Sequence, residues 1–252
     1  MGKILVKDKE IVVPGDVLAE GMDYLPAGGA FREQQNIISS QLGIVSISER
    51  LVRVIALAGR YVPKRGDNVI GKISTVAANN WFVDIGYANE AMLGLKEAVA
   101  EFVPRGADLT QYFRGGDYVL CKITNVTRQK LIDVSMKGPG LRKLGPGRLI
   151  EVTPAKVPRM IGKAGSMIKI IKDLTGCRIT IGQNGIAWVN GDNAESEDLA
   201  IEALRLIEEN SHKTGLTDEV KKFLEKESKK LPKVKKIEQP AGVVKKNVQK
   251  KN

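Results

Sequence analysis

Apolar and polar positions alternate in short runs through the first half of the chain, and a longer period appears only past residue 157. In residues 1–65 the runs are "KEIVVPGDVL", "YLPAGGAF" and "LGIVSISERLVRVIALAG". Val45, Ile47 and the alternation in "LVRVIAL" have the period of two that suits pleated strands. Pro and Gly punctuation separates the runs and no amphipathic helix is visible, so residues 1–65 are expected to form a small all-β unit.

"GDNVIGKISTV" (66–76) and "GDYVLCKITNV" (116–126) then match at Gly, Asp, Val, Lys, Ile and Val. Each Gly-Asp pair predicts a turn that launches a strand. "NNWFVDIG", "EAMLGLK" and "KLIDVSMK" add three more strands, with a helix-permitting break near 95–112. Five short strands in this order predict a Greek-key barrel of the OB type, in which the two matching segments are strands of one barrel.

The third region has mixed periods. "GRLIEVTPAKV" predicts a strand, "PRMIGKAGSMIKIIKDLTG" two helices around a glycine-flanked loop, and "CRITIGQNGIAWVNG" a hairpin. "DNAESEDLAIEALRLIEENSHKTGL" closes the series with a helix, giving β-α-α-β-β-α. Gln183, Asn184 and Gly185 are expected to supply the positive φ of the hairpin turn. Asp192 and Glu195 have capping-box spacing, and Ala200, Ala203, Leu204 and Ile207 line one helix face. Ile161, Ile168 and Ile171, with Ile179 and Ile181 across the sheet, form an apolar wall. The predicted class is multidomain, mainly β then α+β, divided at 1–65, 66–140, 141–225 and a lysine-rich tail, 226–252, expected to be disordered.

Composition narrows the chemistry. The 252 residues are 42% hydrophobic and include 26 glycines, enough for several turn-rich cores. The charged start "MGKILVKDKE" predicts no signal peptide, and no run nears the roughly 18 apolar residues of a membrane span, so a cytoplasmic protein without a membrane partner is expected. Cys121, Cys177 and His212 are too few and too scattered for a zinc site, and His212 lies in a polar loop sequence. No catalytic residue, metal or cofactor is expected. Gly66 to Lys72 reads G-x-x-x-x-G-K, but Ile73 stands where a phosphate-binding loop needs Ser or Thr, and the run continues as a strand.

The net charge of +11 is uneven. Much of it sits in the tail, whereas residues 142–178 hold nine basic residues against Glu151 and Asp173. Residues 179–215 reverse the sign, with seven acids against Arg205 and Lys213. Positive charge is thus concentrated around Gly162, Lys163, Ala164 and Gly165, which points to an anionic ligand at that loop. Glycines at 162 and 165 allow backbone to approach a sugar–phosphate chain, and the N–H groups from Gly165 onward are expected to meet phosphate oxygens. Lys163, Arg159 and Lys169 add charge. Nothing there can activate water or a leaving group.

"IGKAGSMIKIIKDLTGCRITI" resembles the heart of a KH domain, I-G-x-x-G-x-x-I-K-x-I-x-x-x-T-G-x-x-I-x-I, with Ala164 where many such loops have glycine. The resemblance implies a type I KH domain, βααββα, whose loop clamps single-stranded RNA, with Arg159, Ile161, Gly162, Lys163, Ala164, Gly165, Ile168 and Lys169 as its binding residues. Residues 66–137 resemble the RNA-binding barrel named after ribosomal protein S1. Phe82 in "WFVDIG" stands at that family's base-stacking position, with Val83 and Ile85 facing the core. Asn79 and Gly94 replace the aromatic and the histidine usual nearby, which shifts the expected contacts to phosphates, through Lys122, Arg128 and Lys130.

A β-rich unit, an S1 barrel and a KH domain in this order resemble the RNA-binding cap subunits of archaeal exosomes. The resemblance implies a non-catalytic subunit, present in three copies on a ring of RNase PH-like proteins, that guides the RNA 3′ end into the ring. The resemblance also implies that the N-terminal unit docks on the ring. The alternative is a NusA-like S1–KH transcription factor, which normally carries a second KH domain. A hydrolytic nuclease would need gathered carboxylates. The only dense acidic cluster, Asp192, Glu195, Glu197 and Asp198, starts a helix and is expected to cap it.

Overall fold

The computed structural model describes residues 2–99, 101, 104, 106–211 and 215–228. His212 and the tail from residue 229 onward lie outside them. The short alternating runs become β1 (Lys3–Ile4), β2 (Ile11–Val12), β3 (Val17–Glu20), β4 (Leu25–Pro26), β5 (Ala30–Glu33), β6 (Asn36–Ser39), β7 (Gly43–Ser48) and β8 (Leu51–Ala56). They form two four-stranded sheets, β1-β3-β6-β5 and β2-β7-β8-β4. Leu18, Ile37, Val45, Val52 and Val54 share one core. The outward positions of the second sheet are also apolar. Register sets Ile44 opposite both Ile11 and Ile55, and these two are more than half exposed.

The barrel is built from β9 (Asn68–Val76), β10 (Asn80–Asp84), β11 (Ala91–Gly94), β12 (Tyr118–Val126) and β13 (Ile132–Ser135), with the one-turn helix α1 (Leu95–Ala98) after β11. Strand order β9-β10-β11-β13-β12 closes through the β12–β9 pair, which is the pair formed by the two matching segments. The G-x-x-x-x-G-K run is therefore strand. Trp81, Val83, Ile85 and Ile123 point inward with the inner residues of β9 and β12. The Trp81 indole N–H donates to the Phe113 carbonyl at 3.1 Å, and the two rings meet edge to face at 5.3 Å. Two edges differ from the expected division of the chain: Tyr61 packs into the barrel core, and β14 (Arg142–Lys143) pairs with β12.

β15 (Arg148–Glu151), α2 (Val157–Ile161), α3 (Ser166–Thr175), β16 (Arg178–Ile181), β17 (Ile186–Asn190) and α4 (Ala194–Glu209) follow in the βααββα order. The sheet is antiparallel, β15-β17-β16. Ile171, Ile179, Ala200, Ala203, Leu204 and Ile207 are buried in its core as the spacing predicts, each large side chain contributing about 1.5–3 kcal/mol. The helix cap differs from expectation. Asn193, not Asp192, accepts a hydrogen bond from the Ser196 N–H at 2.8 Å, because it is the residue that holds the extended conformation before the first turn. A further helix, α5 (Leu216–Ser228), was not legible as such. Leu216, Val220 and Leu224, spaced by four, bury its face against α3 and α4, so residues 226–228 are helical rather than tail.

The hairpin turn also departs from expectation. Gly185 carries the positive φ, +83°, whereas Asn184 does not. Asn184 is buried and reaches into the barrel: its Oδ1 accepts from the Ile70 N–H at 3.2 Å, and its Nδ2 donates to the carbonyls of Ile70 (2.7 Å) and Ile85 (3.0 Å). The Gln183 N–H donates to the Asn68 carbonyl at 2.8 Å. Beside these bonds, Ile70 and Leu120, which point outward from the barrel, pack with Leu144 and Trp188 in a small core of their own. Barrel and βααββα unit therefore meet through a small apolar core beside the hydrogen-bonded Asn184 amide.

Candidate nucleic-acid interface

The 162–165 loop is formed by two helices that nearly touch. α2 begins with Pro158 in its first turn and ends where Gly162 turns to φ +76°, its N–H donating to the Pro158 carbonyl at 3.0 Å. A Cβ on Gly162 would lie 2.8 Å from both the backbone nitrogen and the Cβ of Met167, so α3 can start this close only against glycine. Gly165, at φ +78°, stands in open space beside Ile168. Between them Lys163 and Ala164 form the exposed tip.

One part of the expected anion cradle is altered. The Gly165 N–H donates to the Gly162 carbonyl at 3.2 Å and the Ser166 N–H to the Lys163 carbonyl, so both are engaged inside the loop. These bonds close a tight turn and leave the positive charge of the tip to Lys163. Ile161 and Ile168 are half-buried on either side, over the fully buried Met160 and Ile171. Arg159 and Lys169 are exposed on the flanking helical turns. The structure thus gathers Arg159, Ile161, Gly162, Lys163, Ala164, Gly165, Ile168 and Lys169 into one helix–loop–helix, with apolar flanks and a cationic tip.

The barrel residues are not gathered in the same way. Phe82 is half-exposed and faces outward between Val83 and the buried Trp81, as the alternation predicts. Its neighbours in register are Thr75 on β9 and the exposed Met92 on β11, and beyond Met92 comes Asp133. Lys122 pairs with Asn68 and Ser135; Asn68 is seven positions from Thr75 on β9, whereas Ser135 is two positions from Asp133 on β13. Lys122 lines a separate pocket of about 560 Å³ with Arg65, Lys137 and Glu97. Arg128 and Lys130 lie in the β12–β13 turn, where the Lys130 carbonyl accepts from Asn89 at 3.0 Å. Arg65 and Lys137 were missed from sequence, since neither belongs to the repeated strand pattern.

Two of the four acids clustered at 192–198 have structural partners. Glu197 accepts from the Gly191 N–H at 2.9 Å, and Asp198 pairs with Arg148. Burial pushes the Cys121 thiol up to about 12 and raises that of Cys177 as well, so neither is a thiolate at neutral pH. Among the described residues no three His, Cys, Asp or Glu side chains converge as a metal site would require, and no helix is long and apolar enough to cross a membrane. The arrangement can hold an anionic polymer by backbone approach, apolar contact and lysine or arginine charge.

Comparison with known proteins agrees with this geometry. A family model for the S1 domain of RRP4 matches residues 60–105, and a KH-domain model matches residues 147–195. The chain is 47% identical over 228 residues to exosome complex component Rrp4 of Thermococcus kodakarensis, covering 89% of this chain and 88% of that one. It is 44% identical over 227 residues to the Pyrococcus horikoshii protein of the same name, covering 89% and 85%. A crystal structure of a candidate exosome complex RNA-binding protein is similar at 34% identity with a TM-score of 0.60, over 68% of this chain and 98% of that one.

Proposed function

We propose, because the chain belongs to the Rrp4 family of exosome complex components, that it is the non-catalytic RNA-binding cap of an exosome and feeds single-stranded RNA, 3′ end first, to a 3′→5′ exoribonuclease in other subunits. The observation that carries this is the 162–165 loop: positive φ at Gly162, Ala164 and Gly165, an exposed Lys163, and half-buried Ile161 and Ile168 beside it. RNA bases lie on the isoleucines while the backbone passes over the loop tip, with Arg159 and Lys169 on adjacent phosphates. Phe82 offers one stacking surface on the barrel. Lys122, Arg128 and Lys130 supply salt-sensitive phosphate contacts.

The N-terminal unit docks on RNase PH-like ring subunits through the apolar row Ile11, Ile44 and Ile55, and three copies crown one ring in the cytoplasm. The division at 1–65, 66–140 and 141–225 assigns ring docking to the first unit and RNA to the other two. A NusA-like factor is not favoured, since relatives aligned over most of the chain are exosome components.

Substituting Lys163→Asp with Ala164→Asp tests the clamp. Both side chains are exposed, and aspartate tolerates the left-handed conformation at 164. Anisotropy titration with labelled single-stranded RNA at moderate salt should show affinity reduced at least about tenfold, since two new negative charges replace one positive one at a phosphate contact. Unchanged affinity in a folded variant would remove the loop from the RNA path.

A further inference from the structure

Residues 142–147 leave the barrel and turn toward β15, and on the way they build a pocket of about 540 Å³ with Arg178, Trp188 and Asn190. Its walls are fixed by hydrogen bonds. The Trp188 indole N–H donates to the Gly145 carbonyl at 3.1 Å, and Asn190 Nδ2 donates to the Pro146 carbonyl at 3.0 Å. The Arg142 guanidinium lies over the Trp188 ring, 5.9 Å from its centroid. Arg178, at the start of edge strand β16, is exposed on the same pocket.

These cations lack the partners that their neighbours have. Lys143 pairs with Asp117 and Arg148 with Asp198, but among the described residues no ion pair is recorded for Arg142, Lys172 or Arg178. Lys172 on α3 is held below the usual lysine range, first by burial and then by the nearby Arg142 guanidinium. Folding alone does not require like charges to be kept together without a carboxylate. Guanidinium groups present a planar fork that suits paired phosphate oxygens, and stacking on an aromatic ring limits the motion lost on binding.

We propose that Arg142 and Arg178 hold a backbone phosphate of single-stranded RNA in this pocket, a second anchor beyond the 162–165 loop. α3 has ten residues, about 15 Å of helix, and it separates the loop at its N-terminus from Arg178, which follows its C-terminus. RNA that leaves the clamp along this helix reaches the seam between KH domain and barrel. The proposal rests on the RNA-binding role given above, and its test separates the two.

Labelled, unstructured oligo(A) is titrated by anisotropy across a salt series with the full chain, with Arg142→Gln/Arg178→Gln and with Lys163→Asp/Ala164→Asp. The pocket variant should bind several-fold more weakly, with a log–log salt slope shallower by about 0.7, the value for one lost phosphate contact on a single strand. If that variant keeps the parent's affinity and slope while the loop variant is weakened, the pocket proposal falls and the clamp stands. If the unaltered chain binds no RNA, both fall. Should the double variant unfold through loss of the Trp188 stack, Arg178→Gln alone leaves that stack intact, and an unchanged slope there overturns the proposal. Binding of an acidic peptide with RNA affinity untouched would overturn it too.

Discussion

Ala164 sits at φ 53°, ψ 29°, between two glycines that adopt positive φ without penalty. For alanine the left-handed conformation costs about 1–2 kcal/mol. Many KH loops have glycine at this place, and the sequence shows the departure without showing its consequence, since φ cannot be read from one residue. Ala164→Gly relieves that cost but adds about 0.5–1 kcal/mol of unfolded-chain entropy. The expected result is a net gain of up to about 1.5 kcal/mol, measured as a higher denaturant midpoint. A lower midpoint would mean that the alanine methyl makes a contact worth more than the backbone cost.

At the scale of elements, the part most legible in sequence was periodicity. The matching Gly-Asp strands paired side by side, and the helix-loop-helix took shape around Gly162 and Gly165. What stayed hidden depends on contacts between distant segments. Asn184 looked like a turn residue because a turn surrounds it, yet its amide is satisfied by Ile70 and Ile85 of the barrel. One signal was present. "NVIGKI" and "YVLCKI" break strict alternation with consecutive apolar residues, the mark of strands covered on both faces, and Ile70 and Leu120 are the covered outward positions. α5 escaped because its three apolar residues stand in a lysine- and glutamate-rich stretch that blends into the tail. Asn184→Ala leaves the buried Ile70 N–H without its acceptor, so a loss of about 1–3 kcal/mol is expected in urea unfolding. A stability unchanged within a few tenths of a kcal/mol would mean that water replaces the side chain there.

Apolar exposure is unevenly spread over the whole molecule. Among the described residues, eleven of the thirteen exposed large hydrophobics fall between Leu5 and Val62, while only Met92 and Leu131 lie outside that span. The basic residues around the clamp lie past the middle of the chain, in 142–178. One part offers apolar surface suited to protein and the other offers charge suited to RNA, which is the polarity of a subunit that joins the two. On the proposed function, this chain holds RNA for a nuclease carried by other chains. A gel time course tests it most directly, using labelled RNA in magnesium and phosphate with the chain alone, with ring subunits alone, and with both. RNA should stay intact with the chain alone and shorten faster with chain plus ring than with ring alone. That gain should disappear in Ile11→Asp/Ile55→Asp, whose substitutions fall on exposed positions. Shortening by the purified chain alone, or a ring whose activity is indifferent to the chain, would contradict it.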